Sequence, residues 1–224
     1  MAEDFAPFNA LNYGGALEKT THTYTDGSDA YANNYHTVIS FLHEPSNEHV
    51  TFKAFITTYN EVLASDWASE RVFGRVDPIY TFRQNERRIS IGFKVPGAST
   101  GEAYENLGKI QRLAQFLYPS YGDAASAQTI SQSPLIRIKF MNLLSGRADN
   151  VSGVSNPSEL FSDYASFAND NSPASGQLGV ITSLTFNHNL EGDIGAIELG
   201  KNTILPKMID VALEFSVIHE EPLG

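Results

Sequence analysis

Arg87 to Val95 reads RRISIGFKV, with Ile89, Ile91, Phe93 and Val95 on one side and Arg88, Ser90, Gly92 and Lys94 on the other. Strict period-two alternation marks a strand that buries one face and wets the other, the usual state of an antiparallel sheet. The pattern recurs along the chain. HTVISFLH aligns Thr37, Ile39 and Phe41, and HVTFKAFITTY aligns Val50, Phe52, Ala54 and Ile56. The turn-forming EPSNE between them predicts a hairpin. PLIRIKFMNLL aligns Ile136, Ile138 and Phe140. VITSLTFNHNL aligns Leu184, Phe186 and His188, and MIDVALEFSVIHE aligns Val211, Leu213, Phe215 and Val217. Val72 to Phe82 is strand-like but broken at Gly74 and at Asp77-Pro78. Proline cannot donate to a ladder, so Pro78 marks an edge, a bulge or a bend. RQNE, residues 83–86, reads as the turn before the clearest strand.

One segment has a different period. In 100–118, Ala103, Leu107, Ile110, Ala114 and Leu117 form an apolar stripe at steps of three and four, as on an amphipathic helix. Ser99 and Glu102 have capping-box spacing, and Pro119 stops the helix. The order is therefore β-β-β-β-α-β-β-β. Strands and helices do not alternate, which argues against a doubly wound parallel sheet. The expected class is mainly β with one main helix (α+β), built as an antiparallel β-barrel or sandwich. Residues 1–48 read as an N-terminal arm with the first strand, and 49–224 as the β domain. A polar insertion at 145–176 interrupts that domain, and NPSELFSDYASFA within it reads as a short helix capped by Asn156.

Composition narrows the function classes. The 224 residues are 42% hydrophobic, enough for a sizeable core. The net charge of −11 lacks the basic face that wrapping duplex DNA requires. Without cysteine there is no disulfide and no thiolate metal site. No apolar run is long enough for a membrane helix, and MAEDFAPFNA is not a signal peptide.

Three motifs have a chemical reading. GASTG, Gly97 to Gly101, matches a nucleophile elbow between a strand and a helix, with His188 and His219 downstream. Against this, Ser99 already serves as a helix cap and the sheet reads as antiparallel. HEPSNEH, His43 to His49, offers two histidines and two glutamates, but Pro45 breaks the helical spacing a zinc site uses, and a solvated turn fits better. WASERVFGRVDPIYTF, from Trp67, gathers the only tryptophan with Glu70, Arg71, Arg75 and Asp77. Surface ion pairs there are worth little, but tryptophan and arginine are enriched where proteins meet.

Several segments in order carry a family resemblance: FKAFITTYNE, WASERVFGRVDPIYTFRQNERRISIGFKV, AYENLGKIQRLAQFLYPSY, SPLIRIKFMNLL, GVITSLTFNHNLE and ILPKMIDVALEFSVIHEEPLG. They resemble the tail-tube-like baseplate proteins, or tube initiators, of contractile-tailed bacteriophages, over about residues 50–144 and 177–224. The resemblance implies a structural virion protein, assembled in the host cytoplasm. It implies a homo-oligomeric ring of six subunits whose inward strands join into one barrel. The tail tube protein would lie on one side and the baseplate hub and spike on the other. DNA would pass through the channel without specific binding. It implies no catalysis, cofactor, metal or membrane. On this reading Trp67, Arg71, Arg75, Asp77 and Arg87 lie at the subunit interface. The alternative from the residues alone is a baseplate-associated hydrolase or carbohydrate-active enzyme.

Overall fold

The computed structural model describes residues 32, 35, 37–53, 55–121, 130–141, 143–144, 173–190, 195–198 and 204–220. Nearly all of the expected arm, the helix expected within the insertion and the last four residues lie outside these. Seven strands form one antiparallel sheet: β1 (Val38–His43), β2 (Glu48–Lys53), β3 (Phe55–Glu70), β4 (Ile79–Pro96), β7 (Ile136–Phe140), β8 (Gln177–His188) and β11 (Met208–Val217). Their order across the sheet is β2-β1-β7-β8-β11-β4-β3. The only long helix among the described residues, α1 (Thr100–Gln115), falls between β4 and β7 in the chain. This is the α+β class, with four long strands before the helix and three after it, but the early strands are divided differently: the expected strand HVTFKAFITTY is shared between β2 and β3, and the expected strands at Val72–Phe82 and Arg87–Val95 both run into β4. Four short strands were not expected: β5 (Ser120–Tyr121), β6 (Ile130–Gln132), β9 (Ala196–Glu198) and β10 (Ile204–Pro206). They pair only with one another, as β5–β6 and β9–β10, and are too short to show a period.

The hydrogen-bonded order has two ends, so among the described residues the sheet is not a closed barrel. It is folded over instead. β2 and β3 end the order on opposite sides, yet Lys53 and Phe55 are only two positions apart in the chain. Two Cα–Cα steps span at most about 7.6 Å, so the two edges must come together. Phe93 of β4 accordingly packs against Phe52 of β2, with ring centroids 5.4 Å apart, and against Phe41 of β1 at 6.1 Å. Most of the alternating residues read from the sequence fill this core, whereas Leu184, Phe186 and Val217 are half-buried against it and His188, at the end of β8, is exposed. Ile39, Phe41, Val50, Phe52, Ile89, Ile91, Phe93, Ile136, Ile138, Phe140, Val211, Leu213 and Phe215 are all buried.

α1 adds Ile110 and Leu113 to that core, and Phe116 joins them from its C-cap. Ser99 caps the helix as its sequence predicts, while the Glu102 carboxylate accepts from the residue before the cap. The Glu102 N–H donates to Ser99 Oγ at 3.2 Å, and the Ala98 N–H donates to Glu102 Oε2 at 2.7 Å. Glu102 is almost wholly buried and also binds Lys53 of β2. Its carboxylate thus ties the helix start to the sheet. The helix ends at Gln115, short of the expected 118, because Leu117 and Tyr118 bond to Ala114 and Gln115 in a tightened last turn.

The two halves of the sheet, β2-β1-β7 and β8-β11-β4-β3, join through three residue pairs between β7 and β8. Gly179 lies at this seam. A Cβ there would stand 2.3 Å from Ser216 O and 2.6 Å from Cζ of Phe215. Gly179→Ala is therefore expected to lower stability by about 1–3 kcal/mol, the usual cost of overpacking. Chemical denaturation would measure it.

Candidate assembly surface

β3 and β4 form a hairpin much longer than the sequence suggested. β4 pairs with β11 from Arg88 to Pro96, but its residues from Ile79 to Arg87 pair only with β3. This second part is a two-stranded ribbon of about 30 Å, at roughly 3.3 Å per residue. The expected turn at 83–86 is corrected: Gln84 and Asn85 sit within β4, opposite Asp66 and Ser65. Cross-strand pairing overrides their turn tendency, and the Ser65 hydroxyl donates to Asn85 Oδ1 at 2.6 Å. The break at Gly74 and Asp77-Pro78 is the hairpin loop, residues 71–78, rather than a bent strand. Gly74 has φ +89°, which suits glycine in a tight turn.

Along this arm the alternation no longer buries anything. Leu63 and Trp67 lie on one face of β3, since residues two apart point the same way. The ring of Phe82, opposite Trp67, meets the indole edge-on at 5.2 Å, and Tyr80, two residues from Phe82, follows on that face. All four are exposed, and in the loop Phe73 and Val76 are fully exposed. A two-stranded hairpin is marginal by itself in water, and apolar groups gathered on an exposed face mark a binding surface.

The five interface residues expected from sequence all map to this hairpin. Arg71, Arg75 and Asp77 are exposed in the loop, and Trp67 lies four residues before it in β3. Arg87 differs. It sits at the base of the ribbon and is half-buried, and its Nε donates to Glu61 Oε1 at 2.6 Å. Reasoning from sequence did not pick out Leu63, Phe73, Val76 or Phe82. Leu63 and Phe82 have the spacing of a buried strand and prove exposed because no further strand among the described residues covers them, while Phe73 and Val76 fall in the loop, where no period marks them.

The other motifs are structural. Ser99 Oγ accepts the helix-capping bond described above. His43 is buried, stacked on Phe116 at 5.0 Å with the rings 6° from parallel, and its Nδ1 lies 2.8 Å from Ser46 Oγ. It is part of the turn and core, in keeping with the turn reading of HEPSNEH. Burial, then the nearby Arg112 charge, lowers its pKa below the ordinary value for histidine.

The outer face of β8-β11-β4-β3 is a shallow open trough. Small and polar groups line it, among them Thr58, Ser90, Gly92, Ser183, Thr185 and Ala212. Lys94 and Asp210 approach to 3.9 Å at one side, and Glu214 lies along it.

No family model matches the chain, and no curated protein matches it. Among solved structures it is similar to a chain in the cryo-EM structure of the anti-feeding prophage baseplate, symmetrised six-fold. The two are 12% identical, with a TM-score of 0.28, over 80% of this chain and 87% of that one.

Two outcomes follow from this geometry. Arg75→Ala and Trp67→Ala should change the stability of the single subunit by no more than about 0.5 kcal/mol, as surface substitutions do, with an unchanged circular dichroism spectrum. Ser99→Ala should cost about 1 kcal/mol as a lost cap, and the wild-type serine should not react with a fluorophosphonate probe.

Proposed function

We propose that this chain is a structural subunit of a phage-type tail baseplate. Copies close into a ring, six-membered by the resemblance, that starts the tail tube and lines its channel. One observation carries the reading. The four-stranded half of the sheet, β8-β11-β4-β3, ends in two free edges. Among the described residues β3 pairs only with β4, and β8 beyond Gly179 pairs only with β11. Such edges are a liability unless another chain covers them. Neighbours within the half are antiparallel, so with four strands the two edges run in opposite directions. The β3 edge of one copy can then meet the β8 edge of the next without breaking the antiparallel pattern. A head-to-tail contact of this kind makes a ring when its rotation closes.

Closure also fixes the inner face. β1, β2, β7 and α1 cover one side of the four strands, and that bulk has room only outside a ring. The trough face, with Ser90, Gly92, Thr185, Ala212, Asp210 and Glu214, then lines the channel. Its Lys94 lies 3.9 Å from Asp210, and with Glu214 alongside, the described residues of the trough form no continuous basic track for phosphates to bind. Six copies would set about 24 strands around a channel roughly 48 Å across between backbones, at a 4.7–4.9 Å spacing and about 40° tilt. The exposed arms would all project toward one end of the ring. There Trp67, Arg71, Arg75 and Asp77 would meet a neighbouring subunit, with Arg87 at the base of the contact.

The chain has no cysteine, so introduced pairs give a clean test. Asn60→Cys, Val62→Cys and Ala64→Cys would each be combined with Ser183→Cys and oxidised, alone and mixed with tail tube protein. In one chain Ser183 and Asn60 stand three strands apart, about 14 Å and beyond disulfide reach. The expected result is a ladder of covalent oligomers from at least one pair, with rings in negative-stain images. Arg75→Ala should reduce the number of rings. Only monomers and no rings under both conditions would refute the proposal.

A further inference from the structure

At one end of the sheet the β1–β2 turn, the last turn of α1 and the residues after β11 meet in a cluster of charges. Arg137 of β7 is its centre. Its Nη1 and Nη2 donate to the two carboxylate oxygens of Glu220, each at 2.6 Å, and its Nε binds Glu44 in the β1–β2 turn. Nη1 also reaches the Gly176 carbonyl at 3.4 Å. Next to Glu44 in the chain is His43. The Phe116 ring under its imidazole also has the Arg112 guanidinium 5.6 Å from its centroid. Arg112 is bound by Glu48 and by Gln115 Oε1, the latter at 2.7 Å. His43 Nε2 is buried, with no hydrogen-bond partner among the described residues. Outside the strand ladders, which pair His43 with Glu48 and with Ile136, three hydrogen bonds help secure this corner. The Glu44 N–H donates to Leu135 O at 3.0 Å and the Ile218 N–H to Leu178 O at 2.8 Å, while Gln177 Nε2 donates to Ile218 O at 3.0 Å.

We propose that this cluster is an acid-released clasp on the C-terminal segment, in which Glu220 and the β1–β2 turn are held together through Arg137 and let go together as the pH falls. The argument is geometric. A proton on His43 would place a second cation beside Arg112, in a site that offers Nε2 no acceptor. Glu44, one residue on, would be pulled with the turn, and Arg137 would lose its grip on it. A proton on Glu220 would remove the other half of the Arg137 fork. Every protonation at this corner therefore weakens it.

The titration directions agree. Burial and Arg112 lower the His43 pKa, and Glu44 opposes them only in part. The hydrogen bonds and charge of Arg137 lower the Glu220 pKa. A group with a depressed folded pKa gives stability that is full above its unfolded pKa and lost as the pH falls through the folded one. For His43 the loss thus begins below about pH 6.5, and for Glu220 below about pH 4.3. The clasp should loosen in two steps.

Hydrogen exchange of the intact chain, read at single amides from pH 7.5 to about 3 and corrected for intrinsic rates, tests this. The amides of Glu44 and Ile218 should lose at least tenfold protection together below pH 6.5, while that of Leu213 in the central strand β11 keeps its own. In His43→Phe, which keeps the stack on Phe116 without a titrating group, the first step should vanish. In Arg137→Gln both amides should be unprotected already at pH 7.5. Equal loss at Leu213 would mean global acid unfolding and would overturn the proposal. So would an unchanged first step in His43→Phe, or Ile218 protection that survives in Arg137→Gln. None of these readouts depends on ring formation.

Discussion

The structure depends on one run of chain serving both ends of the sheet. β2 closes one side of the strand order and β3 the other, and two positions separate them. A flat sheet would need to place these ends many strand widths apart, at roughly 4.8 Å each. The chain cannot bridge that distance, so the sheet must fold over and bring its apolar faces together. The phenylalanine contacts among β1, β2 and β4 are the result. From this one connection follow the two layers and the contact between their apolar faces.

The same fold-over divides the molecule into parts with different tasks. Near the seam, polar side chains do much of the joining: buried Lys139 donates to Ser175 Oγ at 2.8 Å, and Arg137 reaches across β8 to Glu220. Where β4 lies against β11, alternation supplies the core. Beyond Arg88 the hairpin has no third strand among the described residues, and its large apolar residues there are exposed. Loss of burial there costs the subunit little, because the core is complete without the arm. The arm can therefore keep a surface for other molecules.

Much of this was legible in the sequence wherever period and chemistry are local. Ile89 to Val95 and Val211 to Phe215 show their buried face by alternation alone. Ser99 and Glu102 show the helix start because a cap needs only four residues. The hairpin length was not legible. Gln84 and Asn85 have turn chemistry, and only their partners Asp66 and Ser65 keep them extended. The concentration of tryptophan and charge from Trp67 to Asp77 was legible in the sequence, and its part in a subunit contact is the reading proposed above. The apolar face beside it was hidden, because Leu63 and Phe82 follow the same alternation as core residues. The link among Glu44, Arg137 and Glu220 was beyond sequence reasoning, since the partners lie 93 and 83 positions apart.

Glu102 has a role in how this chain can change over time. One buried carboxylate accepts the backbone of the turn before α1, sits in reciprocal spacing with Ser99 and holds Lys53 on another layer. Groups in one such network do not act independently when replaced. Loss of Lys53 leaves a buried negative charge without its partner, whereas loss of Lys53 and Glu102 together removes that charge as well. Substitutions at the helix start and on β2 are therefore epistatic. Among descendants of this sequence the two positions should drift as a pair, with the helix cap following whichever acid or amide remains.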